Sequence, residues 1–224
     1  MRHRIRTCAD GGSVRQSCRV ECIPSNWRVE TAGVDPFMLA AFPEALGADA
    51  RRACAGLASA RQPTGDRLIQ DSYQRRWGRV IVDRDEVKIP YRHYQDPTAP
   101  VADPDAELVR QAWLTRSSRG EVRQKAVQAL LRAPASWHVP YVLQLCGEYV
   151  IEIGRDIAEY ASGSLQRDPL MLDAYRRFWR DNPEFVALSY ARAASYWDAY
   201  YRTLTLNEYP PHVAMVQLET LVVS

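Results

Sequence analysis

Lysine is nearly absent from this 224-residue chain: of 29 basic residues, only Lys88 and Lys125 are lysine and the rest are arginine. With 27 acidic residues the net charge is +2, too small a field to argue for nucleic acid or an anionic membrane as a partner. Phenylalanine is also sparse, at four residues, whereas tyrosine numbers 12 and tryptophan six. Tyr and Trp combine an apolar body with a polar tip and collect where apolar surface meets water or a partner. Long apolar runs are missing, since no window approaches the 18 residues a membrane-crossing helix needs. The basic start Met1-Arg2-His3-Arg4 is not followed by an apolar stretch, which argues against a secretion signal.

Cysteine is limited to Cys8, Cys18, Cys22, Cys54 and Cys146. An odd, dispersed set without a secretion signal points to reduced thiols and a cytoplasmic protein. Cys18 and Cys22 have three residues between them rather than the usual two, and no second pair stands nearby to complete a zinc set. A Gly-rich phosphate loop, a nucleophile elbow and a His-Glu metal helix are all lacking. The sequence therefore nominates no catalytic residue, no cofactor-binding residue and no metal ligand, and implies no cofactor.

What the sequence does contain is an apolar fraction of 46% and a charged fraction of 25%, which suit a packed globular domain. Residues 1–34 differ from the rest, with six arginines, three acids, three cysteines and no sustained periodicity. They read as a poorly ordered or mis-assigned leader, with Val34 or Met38 as the alternative start. Residues 35–102 read as a small helical segment with a β-hairpin, and 103–224 as an all-helical core packed with it in one domain. Asp35-Pro36 is a helix-start signal, and Phe37, Leu39, Ala40, Phe42 and Leu46 supply an apolar face as far as Gly47, with Pro43 as a possible break. A second helix is expected over Asp49–Ala60 and a third from Asp66 to Trp77. The strand pattern at 79–83 and 86–91 flanks Asp83-Arg84-Asp85 and predicts a hairpin that leans on helices through Val80, Val82, Val87 and Ile89.

Beyond Asp103-Pro104, glycines and prolines punctuate helices expected at 104–116, 120–132, 137–146, 148–161, 168–180, 183–204 and 211–222. The fold class expected is mainly α: an irregular helical bundle or short helix-pair stack with one small hairpin near 79–91. The segment Glu121–Leu130 is echoed 31 residues later by Glu152–Ala161, each opening with an acid and a β-branched residue, although Gly154 stands where the first copy has Arg123. With the Trp137–Leu145 run between them, residues 120–162 resemble a short HEAT-type helical repeat. That resemblance implies stacked helix pairs and a partner bound on a concave face.

Several residues invite a chemical reading that the sequence alone does not support. Glu148, Glu152, Asp156 and Glu159 fall at helical spacing and are read as a solvated face beside Arg155, because no Glu-x-x-His element accompanies them to complete a di-metal site. His138 reads as structural, and Cys146, at a helix C-terminus, as a buried inert thiol. His93, among Tyr91, Arg92 and Tyr94, is the better candidate for ligand contact. Arginines at 75, 76, 79 and 84 are interleaved with acids, which argues against nucleic acid as a partner. On helical spacing Val186, Tyr190, Ala193, Ala194, Trp197 and Tyr201 form a core stripe, with Tyr196 and Tyr200 widening it into an interface. The function expected is a helical protein-binding or scaffold protein without catalytic activity, acting through a protein partner or as a homodimer. The alternative is an enzyme or small-ligand-binding protein that uses dispersed residues such as His93, Glu148, Tyr149 and Glu152.

Overall fold

The structure is a computed structural model that describes residues 36–58, 78–133 and 135–223. The expected leader and the helix expected from Asp66 to Trp77 lie outside the described residues. Those described all fall in one unit bounded by Gly33 and Ser224. They form nine α-helices and one antiparallel hairpin, the mainly α class with a small hairpin that the sequence predicts.

The first helical segment is broken more than its apolar face suggests. Helix α1 spans Pro36–Ala40 and α2 spans Gly47–Ala53, with a 3-10 turn at Glu44–Leu46 between them. Pro43 is extended and forces the break, since the residue before a proline is driven out of the helical region. Helix α2 also stops short of the expected Ala60. Gly56 passes so close to Arg110 and the Ala99 carbonyl that a Cβ there would lie 2.4 and 2.8 Å from them. The chain then turns extended, pairing Leu57 with Pro97 across a bridge and donating from Ala58 N–H to the Asp96 carbonyl. Tertiary pairing thus outweighs helical propensity.

Strands β1 (Gly78–Val82) and β2 (Asp85–Ile89) pair in register Val80↔Val87 and Val82↔Asp85, so the turn is the two residues Asp83-Arg84. Both adopt positive φ, 50° and 80°, the geometry that matches the twist of a two-residue hairpin. Val80, Val82, Val87 and Ile89 are buried and Ile81 faces outward, as the alternation requires. The outer edge of β1 is held by a side chain: Asn182 Oδ1 accepts from Ile81 N–H at 2.7 Å and Asn182 Nδ2 donates to the Ile81 carbonyl at 3.0 Å.

The remaining helices are α3 (Pro104–Leu114), α4 (Gly120–Leu131), α5 (Val139–Cys146), α6 (Ile151–Ser162), α7 (Pro169–Asp181), α8 (Pro183–Tyr200) and α9 (Pro210–Val223). Asp103 and Asp168 cap α3 and α7 from residues just before a first-turn proline, which pre-sets the backbone. Every residue of α5 is buried, and α6, α7, α8 and α9 pack around it. Helix α6 lies against α9 at Gly154, where a Cβ would come within 2.4 Å of Pro211 N. Two boundaries move by three residues or more: α6 begins at Ile151 rather than 148, and α8 ends at Tyr200 rather than 204. Among the described residues no helix is long and apolar enough to cross a membrane.

Candidate functional site

The shift in the start of α6 changes the reading of Glu148. It belongs to the Gly147–Val150 connection between α5 and α6, and its side chain is 1% exposed, so it is not part of a solvated helical face. Glu152 and Glu159 are exposed on α6, with Arg155 4.0 Å from Glu152, as the sequence reading has it. Asp156 instead turns to α4 and accepts from Gln128 at 2.9 Å. The four acids therefore do not converge. Among the described residues no group of His, Cys, Asp and Glu has the arrangement to hold a metal ion.

Three arginines from three separate segments converge on Glu148. Arg92 follows the hairpin and reaches Oε1 with Nη1 at 2.6 Å; Arg116, between α3 and α4, reaches the same oxygen with Nη2 at 2.5 Å. Arg123, in the first turns of α4, brings Nε to 2.7 Å from Oε2. The guanidiniums of Arg116 and Arg123 are wholly buried, and that of Arg92 nearly so. Burial pushes the Glu148 carboxyl up, but the three cations outweigh it and hold the group below the usual carboxylate range. Burial also pulls Arg116 down to about 10, with Arg92 and Arg123 pushing in the same direction and Glu148 opposing them.

Backbone carbonyls take part of the excess positive charge. Tyr91 O accepts from both Arg92 and Arg116, and Ser117 O and Ser118 O accept from Arg123 Nη1 at 2.9 and 3.1 Å. Arg116 Nε and Nη1, Arg123 Nε and Nη2 and Glu148 Oε2 make no hydrogen bond among the described residues, so Arg123 Nε and Glu148 Oε2 meet as an ion pair only. Three guanidiniums around one carboxylate, with donors to spare, form an anion-seeking arrangement rather than an acid–base pair. The three cations favour the ionised form of Glu148.

His93 is bonded within the protein through both ring nitrogens and supports this cluster. Its ring stacks on Trp113 at 4.8 Å, Nε2–H donates to the Trp113 carbonyl, and Nδ1 accepts from Gln95 N–H. Its main chain is bonded to Arg116 O and Ser118 N, tying the segment after the hairpin to the α3–α4 connection. Burial drives its pKa down to about 3, so the ring is neutral at physiological pH. His138 is likewise buried, at about 4, and Cys146 is pushed up to about 12, again by burial.

Tyrosines roof the cluster. Tyr91 and Tyr196 share a hydrogen bond between hydroxyls at 2.8 Å, and the guanidiniums of Arg92 and Arg192 lie over the Tyr91 ring. Tyr149 and Tyr200 both pack on Tyr196 and on each other, and the Arg123 guanidinium sits 5.7 Å from the Tyr149 ring. The backbone beneath is fixed by Tyr209, which donates to the Glu148 carbonyl, and Tyr201, which donates to the Tyr149 carbonyl. In the α8 stripe expected to be core, only Val186 and Ala193 are buried; Tyr190, Ala194, Trp197 and Tyr201 are partly exposed. The outward displacement follows from α8 flanking the bundle, with the fully buried α5 at its centre.

Two surface clefts of about 330 and 490 Å³ flank Ile81, near Asn182 and Arg177 respectively, and neither includes a residue of the Glu148 cluster. Arg79, beside the first, pairs with Glu86 at 3.7 Å, whereas the arginines at 75 and 76 lie outside the described residues. The sequence reading missed Arg92, Arg116 and Arg123. One signal for Arg123 was present: it precedes Ala126, Val127 and Leu130 at helical spacing, a cation on an apolar stripe, and all four are buried. Comparison of the chain with protein-family models, with curated proteins and with solved structures finds no match.

Proposed function

We propose that this chain is a non-catalytic helical binding protein of the cytoplasm that engages a protein partner through the tyrosine surface over the Glu148 cluster. The observation that carries the reading is the exposure of Tyr149 and Tyr200, 43% and 70%, within one contiguous ring cluster on a rigid ionic base. Large aromatic side chains held in place before binding lose little entropy on association and tend to be the energetic anchors of interfaces. Arg192, stacked on Tyr91, adds a partly exposed cation to the same surface. The HEAT-like reading of 120–162 belongs to this proposal, since α4 and α6 pack together and the Glu148 connection lies between α5 and α6.

The partner is another protein or a second copy of the chain, and native mass spectrometry of material purified from its own cells distinguishes them. The wild-type chain is expected in an assembly that the double variant Tyr149→Ser, Tyr200→Ser dissolves while its far-UV circular dichroism is unchanged. A wild-type chain that is monomeric and partner-free, or an assembly indifferent to the double substitution, would refute the reading.

A further inference from the structure

The larger of the two clefts, about 490 Å³, lies between the hairpin turn and helix α7 and falls within the size range of small-ligand sites. Val82, Ala174 and Phe178, all buried, give it an apolar lining, and Ile81 adds an exposed aliphatic side chain. Three exposed arginines share the lining: Arg84 on the turn, and Arg177 and Arg180 on α7. Arg177 pairs with Asp173, and Arg180 with Asp181 at 2.9 Å, both of them surface pairs of the kind that exchange readily with another carboxylate. Arg84 has no ion-pair partner among the described residues. The turn holds it in place from both sides: the Ser136 hydroxyl donates to Asp83 at 3.3 Å, and Asp85 accepts from the Glu44 N–H at 3.0 Å. Between these anchors Arg84 adopts φ 80° at the second position of a two-residue hairpin turn, where glycine is preferred and a side chain is strained. Strain of this kind gathers at ligand clamps and switch segments.

We propose that this cleft binds a carboxylate carried on a flat apolar body, such as an aromatic acid, with the carboxylate on Arg84 and the body against Ile81 and Phe178. The charges set the class of anion. Three arginines share the lining with two aspartates, Asp83 and Asp181, and the surplus of one positive charge suits a monoanion better than a phosphate dianion. The planar guanidinium offers a carboxylate two parallel hydrogen bonds, which fixes the orientation of the acid. The apolar lining then separates an aromatic acid from a small hydrophilic one by the area it removes from water. The cleft has no residue in common with the Glu148 cluster or with the tyrosine surface, so it stands or falls independently of the proposed partner.

The test follows amide and methyl NMR shifts of the full chain as 2-naphthoate is added at constant ionic strength, with acetate and 2-naphthamide as references. Saturable shifts at Ile81, Val82 and Arg84 are expected with naphthoate. Acetate lacks the apolar body and naphthamide lacks the charge, so each is expected to bind about tenfold more weakly or worse. Arg84→Gly relieves the strained turn; it is expected to melt no lower than the wild type and yet to bind naphthoate about tenfold more weakly. An N-acetylated tetrapeptide ending in a free phenylalanine carboxylate identifies the source: tighter binding than naphthoate assigns the carboxylate to a chain terminus, and equal or weaker binding assigns it to a free acid. The proposal is wrong if naphthoate shifts no residue of the cleft or if naphthamide binds as well as naphthoate. It is equally wrong if Arg84→Gly binds naphthoate as well as the wild type.

Discussion

Glu148 Oε1 and Arg116 Nη2 lie 2.5 Å apart at a point where neither side chain meets solvent. The surroundings are asymmetric, since losing Arg116 leaves the carboxylate two other cations, whereas losing Glu148 leaves three guanidiniums facing one another. Glu148→Gln is therefore expected to destabilise the fold by about 3–5 kcal/mol, the range for breaking a buried pair, and Arg116→Met by less. Urea denaturation of the two variants checks the order, and a larger loss for Arg116→Met would contradict it.

Acid should unfold this protein through its buried histidines as well as its carboxylates. His93 and His138 have folded pKa values near 3 and 4, below the ordinary 6.5. Their contribution to stability is complete above pH 6.5 and is lost as the pH falls toward those values, at up to about 1.4 kcal/mol per pH unit for each ring. Glu148, also depressed, adds a loss at lower pH still, in the range below the ordinary carboxylate value. Denaturation midpoints measured from pH 7.5 to 4.5 should decline for the wild type and decline less steeply in His138→Asn, where only the His93 contribution remains.

Asn182 substitutes for a neighbouring strand at Ile81. Asn182→Ala removes two hydrogen bonds to one backbone residue and is expected to destabilise the fold by about 1–3 kcal/mol. The local signature is accelerated hydrogen exchange at the Ile81 amide, with the amides paired between β1 and β2 less affected.

Gly154→Ala places a methyl group against the Pro211 ring, 2.4 to 2.7 Å from its atoms. Helices α6 and α9 must separate to accept it, so a loss of about 1–3 kcal/mol is expected although alanine is the better helix former. An unchanged thermal midpoint would show that this helix contact yields without penalty.

Much of the architecture was legible in the sequence because strong local signals agree with the tertiary structure. Alternating β-branched residues gave the hairpin and its buried face, and the Asp103-Pro104 pair gave the start of α3. The α1–α2 region was less legible because the pairing of residues 57–58 with 96–97 is non-local. The candidate site was the least legible part. Glu148 continues the four-residue spacing of Glu152 and Asp156, so periodicity assigned it to a helix that in fact begins three residues later. Its partners lie 56, 32 and 25 residues away in sequence, and nothing local records that they meet.

The hairpin clamp and one core bond also set an order of events during synthesis. Ile81 waits for Asn182, 101 residues later, and the Ala41 carbonyl waits for the Tyr141 hydroxyl, 100 residues later. A nascent chain emerging from the ribosome therefore carries a two-stranded hairpin, marginal in isolation, until most of the polypeptide has been made. Closure of such long loops slows folding relative to a bundle with only neighbour contacts, and this leaves the N-terminal half dependent on the C-terminal half for its final structure.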